Sequence, residues 1–112
     1  AWVNYPGLKS TKYYERAQKY MPDGVGGVLT FGVKGGRKEG EIVMDSLKLA
    51  AIVVHVCDVR TGVLHPASMT HRQLNDEEQA AAGVTPDLIR VTVGLENIED
   101  ICKDFDQALN KI

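Results

Sequence analysis

The stretch Leu88-Ile89-Arg90-Val91-Thr92-Val93-Gly94-Leu95-Glu96 sets a single guanidinium inside an otherwise apolar run. Ile89, Val91 and Val93 alternate with Arg90 and Thr92, the period of two that marks a half-buried β-strand. The branched apolar residues therefore share one face, which needs a hydrophobic layer against it. Arg90 and Thr92 share the other. Gly94 ends the strand, and Glu96-Asn97 is expected to open a helix with acceptors in its first turn. A guanidinium is planar, always charged and matched in shape to a carboxylate or phosphate, so Arg90 is a candidate clamp for an anionic ligand. The plainer alternative is an Arg paired with a structural Asp or Glu, and the strand alone favours that alternative.

The remaining pattern supplies what this strand needs. Residues 1–7 read as an entry strand or linker, since Pro6 disfavours helix at the position before it. Ser10 or Thr11 is expected to cap a helix running to about Tyr20, stopped by Met21-Pro22-Asp23-Gly24. Residues 27–33 form a glycine-bounded strand, and Gly35-Gly36 turns into a helix over about 37–49 with Ile42, Met44 and Leu47 near one side. A second apolar strand is predicted over 51–57, and a short third at Gly62-Val63-Leu64 ending at His65-Pro66. Asn75-Asp76-Glu77-Glu78 suits the start of a short helix within 73–82, closed by Gly83. Ile98, Ile101, Cys102, Phe105 and Leu109 make a helical stripe able to cover a sheet. The sum is three or four helices with about four strands, an α/β or α+β layer with helices on one sheet face.

At 112 residues the chain fits one domain, and 44% apolar with 25% charged residues is ordinary for a globular protein. A formal charge of -2 gives no electrostatic reason to expect nucleic acid or an anionic membrane as partner. Cys57 and Cys102 form neither a disulfide framework nor a C-x-x-C, which points to reduced thiols and a cytoplasmic setting. The longest apolar run, 49–57, is interrupted by His55 and too short to span a bilayer. No targeting segment is evident, and the chain starts at Ala1 without an initiator Met.

Other chemistry finds weaker support. His55, Cys57, His65 and His71 lack the paired spacing of a metal site. The glycines at 24–27 and 32–36 match neither a dinucleotide nor a Walker loop and read as turns. Cys57, on a predicted strand with no activating neighbour in view, reads as a small apolar filler.

Taken together, His65-Pro66-Ala67-Ser68-Met69-Thr70-His71 and, eighteen residues on, Arg90-Val91-Thr92-Val93-Gly94-Leu95-Glu96 resemble the C-terminal domain of the Cys/Met-metabolism family of pyridoxal-phosphate (PLP) enzymes. The resemblance covers essentially the whole chain. Tyr5-Pro6-Gly7-Leu8, the run 26–36, Asp45-Ser46-Leu47-Lys48-Leu49, Glu77-Glu78-Gln79 and Gly83-Val84-Thr85-Pro86-Asp87-Leu88 look most like its O-acetylhomoserine sulfhydrylase branch. It implies that residues 1–112 are the small substrate-side domain of a fold-type I transferase, built on a mostly antiparallel sheet of about four strands with helices on one face. The large PLP-binding domain would lie outside this chain. Thr11-Lys12-Tyr13 echoes the family's Schiff-base lysine, but the sequence that should follow is absent, so Lys12 is expected on the surface.

The resemblance also implies roles. Arg90, in the Arg-x-Ser/Thr-x-Gly-x-Glu motif, would hold the substrate α-carboxylate, with Thr70 beside it. A third substrate-binding position, usually Ser or Asn, falls on His55, and the usual Gly two residues later on Cys57. The implied reaction replaces the acetate of O-acetylhomoserine by sulfide or a thiol, the pyridoxal ring serving as electron sink. The implied assembly is a homotetramer. Cystathionine γ-synthase and methionine γ-lyase relatives would share the clamp, and a non-catalytic carboxylate-binding module is a further alternative.

Overall fold

The strand that carries Arg90 lies at the centre of the sheet. The computed structural model describes residues 1–112. In chain order the elements are β1 (Trp2–Asn4), α1 (Tyr14–Tyr20), β2 (Val28–Gly32), α2 (Arg37–Ser46), β3 (Ala51–Ile52), β4 (Gly62–Leu64), α3 (Asp76–Ala81), β5 (Leu88–Thr92) and α4 (Ile98–Leu109). The five strands run in the order β1-β2-β5-β4-β3. All neighbouring pairs are antiparallel except β3 with β4. The mixed layer and the mostly antiparallel sheet agree with the sequence. The strand count rises from about four to five because the entry segment pairs with β2.

Ile89 and Val91 are fully buried on one face of β5 and join Val63 of β4 with Val43 and Met44 of α2 and Ala108 of α4 in one core. Non-directional burial of branched side chains stabilises this face, by about 1.5–3 kcal/mol for each one fully removed from water. Beyond α4 the same face is less complete. Phe31 and Phe105 meet edge to face with centroids 6.2 Å apart, beside an open apolar groove of about 940 Å³.

Several boundaries differ from expectation. The first helix begins at Tyr14 rather than at Ser10 or Thr11, because Thr11 and Tyr14 are tied into successive turns through Leu8 O and Thr11 O. The helix expected to 49 ends at Ser46, since the amides of Lys48, Leu49 and Ala50 donate instead to the Asp104 carboxylate of α4 at 2.8–2.9 Å. That carboxylate also re-centres the buried stripe of α4 on Ile101, Asp104 and Ala108, leaving Ile98, Cys102 and Leu109 exposed along the groove. The strand expected over 51–57 keeps only Ala51 and Ile52. Val54 and Val56 are exposed and Cys57 has φ 62, a left-handed conformation that interrupts any ladder. The predicted acidic helix start is present: Asn75 and Glu78 form a reciprocal capping box with both bonds at 2.9 Å.

Candidate functional site

On the face of β5 turned away from α2 and α4, strand register places Arg90 between Thr30 of β2 and Leu64 of β4. The chain between β3 and β4, residues 53–60, is an excursion from the sheet that leaves at Val53, whose amide donates to Val63 O, and returns at Thr61. Its carbonyls meet the guanidinium. Arg90 Nη2 donates to Val54 O at 2.9 Å and to His55 O at 3.4 Å.

No acid neutralises Arg90. The ion pairs of the protein are Arg60 with Asp58 at 3.2 Å and Lys103 with Asp100 at 3.9 Å. Asp58, the acid of the excursion, is turned to Arg60, whose amide and guanidinium hold its carboxyl below the usual carboxylate range. The Arg90 Nε is buried and has no hydrogen-bond partner. A buried donor without an acceptor costs about 1–3 kcal/mol, and a guanidinium offers five donors in a fixed fork. Two backbone carbonyls take Nη2, and Nε is left without an acceptor. The structural ion pair weighed as the alternative for Arg90 is therefore absent.

The other site residues are placed less directly. His55 reaches Arg90 through its backbone carbonyl, while its exposed imidazole makes no hydrogen bond. Thr70 is exposed, and its hydroxyl pairs with His71 Nδ1 at 2.9 Å rather than with Arg90. His65, though buried, is occupied on both nitrogens. Its Nε2 lies 2.8 Å from Pro86 O and its Nδ1 2.7 Å from the Ser68 hydroxyl, so Nε2 carries the proton and Nδ1 accepts.

Glu96 closes the Arg90 motif in the sequence, but its pairing with Thr61 had no signal there. Glu96 does not serve as an acceptor for α4, whose cap is Asn97, accepting from the Glu99 amide at 2.8 Å. Instead its carboxylate crosses to Thr61, taking the amide at 2.7 Å and the hydroxyl at 2.8 Å. The Thr61 amide, together with the hydroxyl, holds the Glu96 carboxyl below its usual range. The Gly94 amide donates to the Thr61 hydroxyl at 3.0 Å and the Leu95 amide to Val59 O at 2.8 Å. A Cβ on Gly94 would fall 2.4 Å from backbone atoms of Arg60 and Thr61, so only glycine permits this approach. Residues 35 apart in sequence meet here, which no local pattern announces.

Every lysine is exposed, whereas a lysine that forms a Schiff base is commonly desolvated to lower its pKa. Lys12 is a surface residue with its ammonium 5.0 Å from the Tyr13 ring centroid.

Comparison with known proteins defines the class. The Cys/Met metabolism PLP-dependent enzyme family matches residues 1–110. The chain belongs to this family. It is 54% identical over 108 residues to homocysteine synthase of Schizosaccharomyces pombe, covering 96% of this chain and 25% of that protein. It is 50% identical over 109 residues to O-acetyl-L-homoserine sulfhydrylase 1 of Thermus thermophilus, covering 97% and 26%. Among solved structures, a Campylobacter jejuni protein assigned as an O-acetylhomoserine (thiol)-lyase, with an N′-pyridoxyl-lysine-5′-monophosphate, superposes with a TM-score of 0.90 at 35% identity over 98% of this chain and 26% of that one. The chain thus spans about a quarter of the length of the relatives it matches.

Proposed function

We propose that residues 1–112 form the C-terminal, substrate-side domain of a longer PLP-dependent transferase, in which Arg90 holds the α-carboxylate of an amino-acid substrate. The full protein exchanges the acetate of O-acetylhomoserine for sulfide or a thiol, giving homocysteine or its analogue. The observation that carries this reading is a half-buried guanidinium with no acidic partner and an orphaned Nε, aimed by the carbonyls of Val54 and His55. Membership of the family and about 50% identity to sulfhydrylases support the choice of substrate.

In this reading the domain's contribution is orientation. A carboxylate bound along the open edge of the fork cannot rotate freely, and fixing a reacting group in this way is worth several kcal/mol of barrier. Thr70 lies beside the same carboxylate, its hydroxyl turning from His71 to the substrate, and the His55 segment borders it. The cofactor belongs to the domain outside this chain, and no chemical step is assigned to residues 1–112. No helix is long and apolar enough to cross a membrane, and a cytoplasmic homotetramer is the assembly this reading expects.

The test is steady-state kinetics of the full-length enzyme. Arg90→Ala raises KM for O-acetylhomoserine at least about tenfold, or roughly 1.4 kcal/mol, with the KM for sulfide unchanged. An unaltered KM for the amino acid removes Arg90 from the site.

A further inference from the structure

The Arg90 fork is aimed by backbone, and the backbone that aims it is an irregular excursion with little regular structure of its own. Residues 53–60 contain no helix or strand, and most are exposed. Cys57 sits in the left-handed region at φ 62, where an L residue with a side chain is strained. Such a segment keeps Val54 O and His55 O on Arg90 only if both of its ends are pinned. The leaving end is pinned by the sheet, through Val53 N to Val63 O at 3.1 Å. The returning end is held by Ala51 N to Thr61 O at 2.9 Å and by a side chain, since Glu96 accepts both the amide and the hydroxyl of Thr61. The same hydroxyl takes the Gly94 amide at 3.0 Å, and Val59 O takes the Leu95 amide at 2.8 Å. One carboxylate thus joins the end of the strand that carries the clamp to the end of the segment that aims it.

We infer that Glu96 is a positioning residue for substrate carboxylate binding, acting through Thr61 and residues 53–60 on the Arg90 guanidinium. The inference rests on the carboxylate-clamp reading of Arg90 and adds to it what keeps the fork in register. Loss of the Glu96 carboxylate leaves the fully buried Thr61 with an amide and a hydroxyl that have no acceptor. The return of the excursion then loosens, the carbonyls of Val54 and His55 drift, and the fork samples orientations that miss the carboxylate.

Full-length enzyme carrying Glu96→Ala, Glu96→Gln, Thr61→Val or Arg90→Ala decides the matter, with kcat and both KM values measured alongside thermal unfolding. Glu96→Ala raises KM for O-acetylhomoserine about fivefold or more and leaves the KM for sulfide within about twofold. Glu96→Gln recovers most of this, because an amide oxygen still accepts from the Thr61 amide. Thr61→Val moves the amino-acid KM in the same direction by a smaller factor, and it carries the test if Glu96→Ala does not fold. A role confined to stability lowers the unfolding temperature while leaving the amino-acid KM untouched, and that result, with Arg90→Ala raising the same KM, overturns the inference alone. An Arg90→Ala enzyme with normal KM overturns the clamp and this inference together.

Discussion

Ile89 and Arg90 are adjacent in β5 and obey different physics. Ile89 is 0% exposed among Val43, Met44 and Ala108, where any apolar shape of the right volume contributes through area removed from water. Arg90, on the other face, is held by two directed bonds to carbonyl oxygens and retains a buried Nε with no partner. One face is satisfied within the chain, and the other keeps a buried donor without an acceptor. The difference teaches that alternation along a single strand can set an apolar face beside a polar one, provided each face has its own support. For the apolar face the support is α2 and α4. For the polar face it is the pinned excursion at 53–60.

The comparison can be broken most forcefully at Ile89. Ile89→Ala is expected to cost about 3–4 kcal/mol, read from the urea unfolding midpoint, because a packed core relaxes only partly around the cavity. Arg90→Ala changes the same midpoint by less than about 1 kcal/mol, since it also removes a buried donor with no acceptor. Equal losses at both positions would erase the distinction between the faces. A smaller but more diagnostic effect is expected at Gly94, where a methyl group meets the backbone of Arg60 and Thr61. Gly94→Ala should destabilise by about 2–3 kcal/mol through overpacking, and it should also raise the amino-acid KM, which Ile89→Ala in the folded fraction should not.

A smaller effect than that at Gly94 sharpens the helix-covered side. Burial pushes the Asp104 carboxyl up, but the amides of Ala50, Lys48 and Leu49 and the Gln107 side chain outweigh it and hold its pKa below the ordinary 3.8. A carboxyl depressed in the folded state stabilises fully above its unfolded pKa and loses that contribution as the pH falls through the folded value. Stability should therefore decline as pH drops below about 4, and Asp104→Asn should flatten that decline while costing about 1–2 kcal/mol at neutral pH. Unfolding midpoints measured in acid for both proteins check the sign. An unchanged acid slope in the Asn variant would place the responsible group elsewhere, for example at Asp87, whose carboxyl accepts from Trp2 and is likewise depressed.

The candidate site was partly legible. Arg90 stood out as a lone cation within an apolar alternation, a pattern that by itself favoured a structural acid as its partner, and family motifs singled out Arg90, Thr70 and His55. What holds Arg90 was not legible. Backbone carbonyls carry no residue signature, and the apolar run 51–57 read as a strand when only Ala51 and Ile52 find partners. Glu96 read as a helix-start acceptor because its true partner, Thr61, lies in another segment. The α4 stripe was misjudged for the same reason, since Asp104 belongs to the buried face only once three amides from 48–50 reach it.

Periodicity and punctuation, which are properties of neighbours in the chain, determined that β5 has one apolar and one polar face, where most helices lie, and that Arg90 is exceptional. Pairing order, the length of β3, the crossing of Glu96 to Thr61 and the missing acid beside Arg90 were decided by tertiary structure alone. Each depends on which distant backbone amide or carbonyl is left without a partner after the sheet has formed, and that is a property of the assembled fold rather than of any stretch within it.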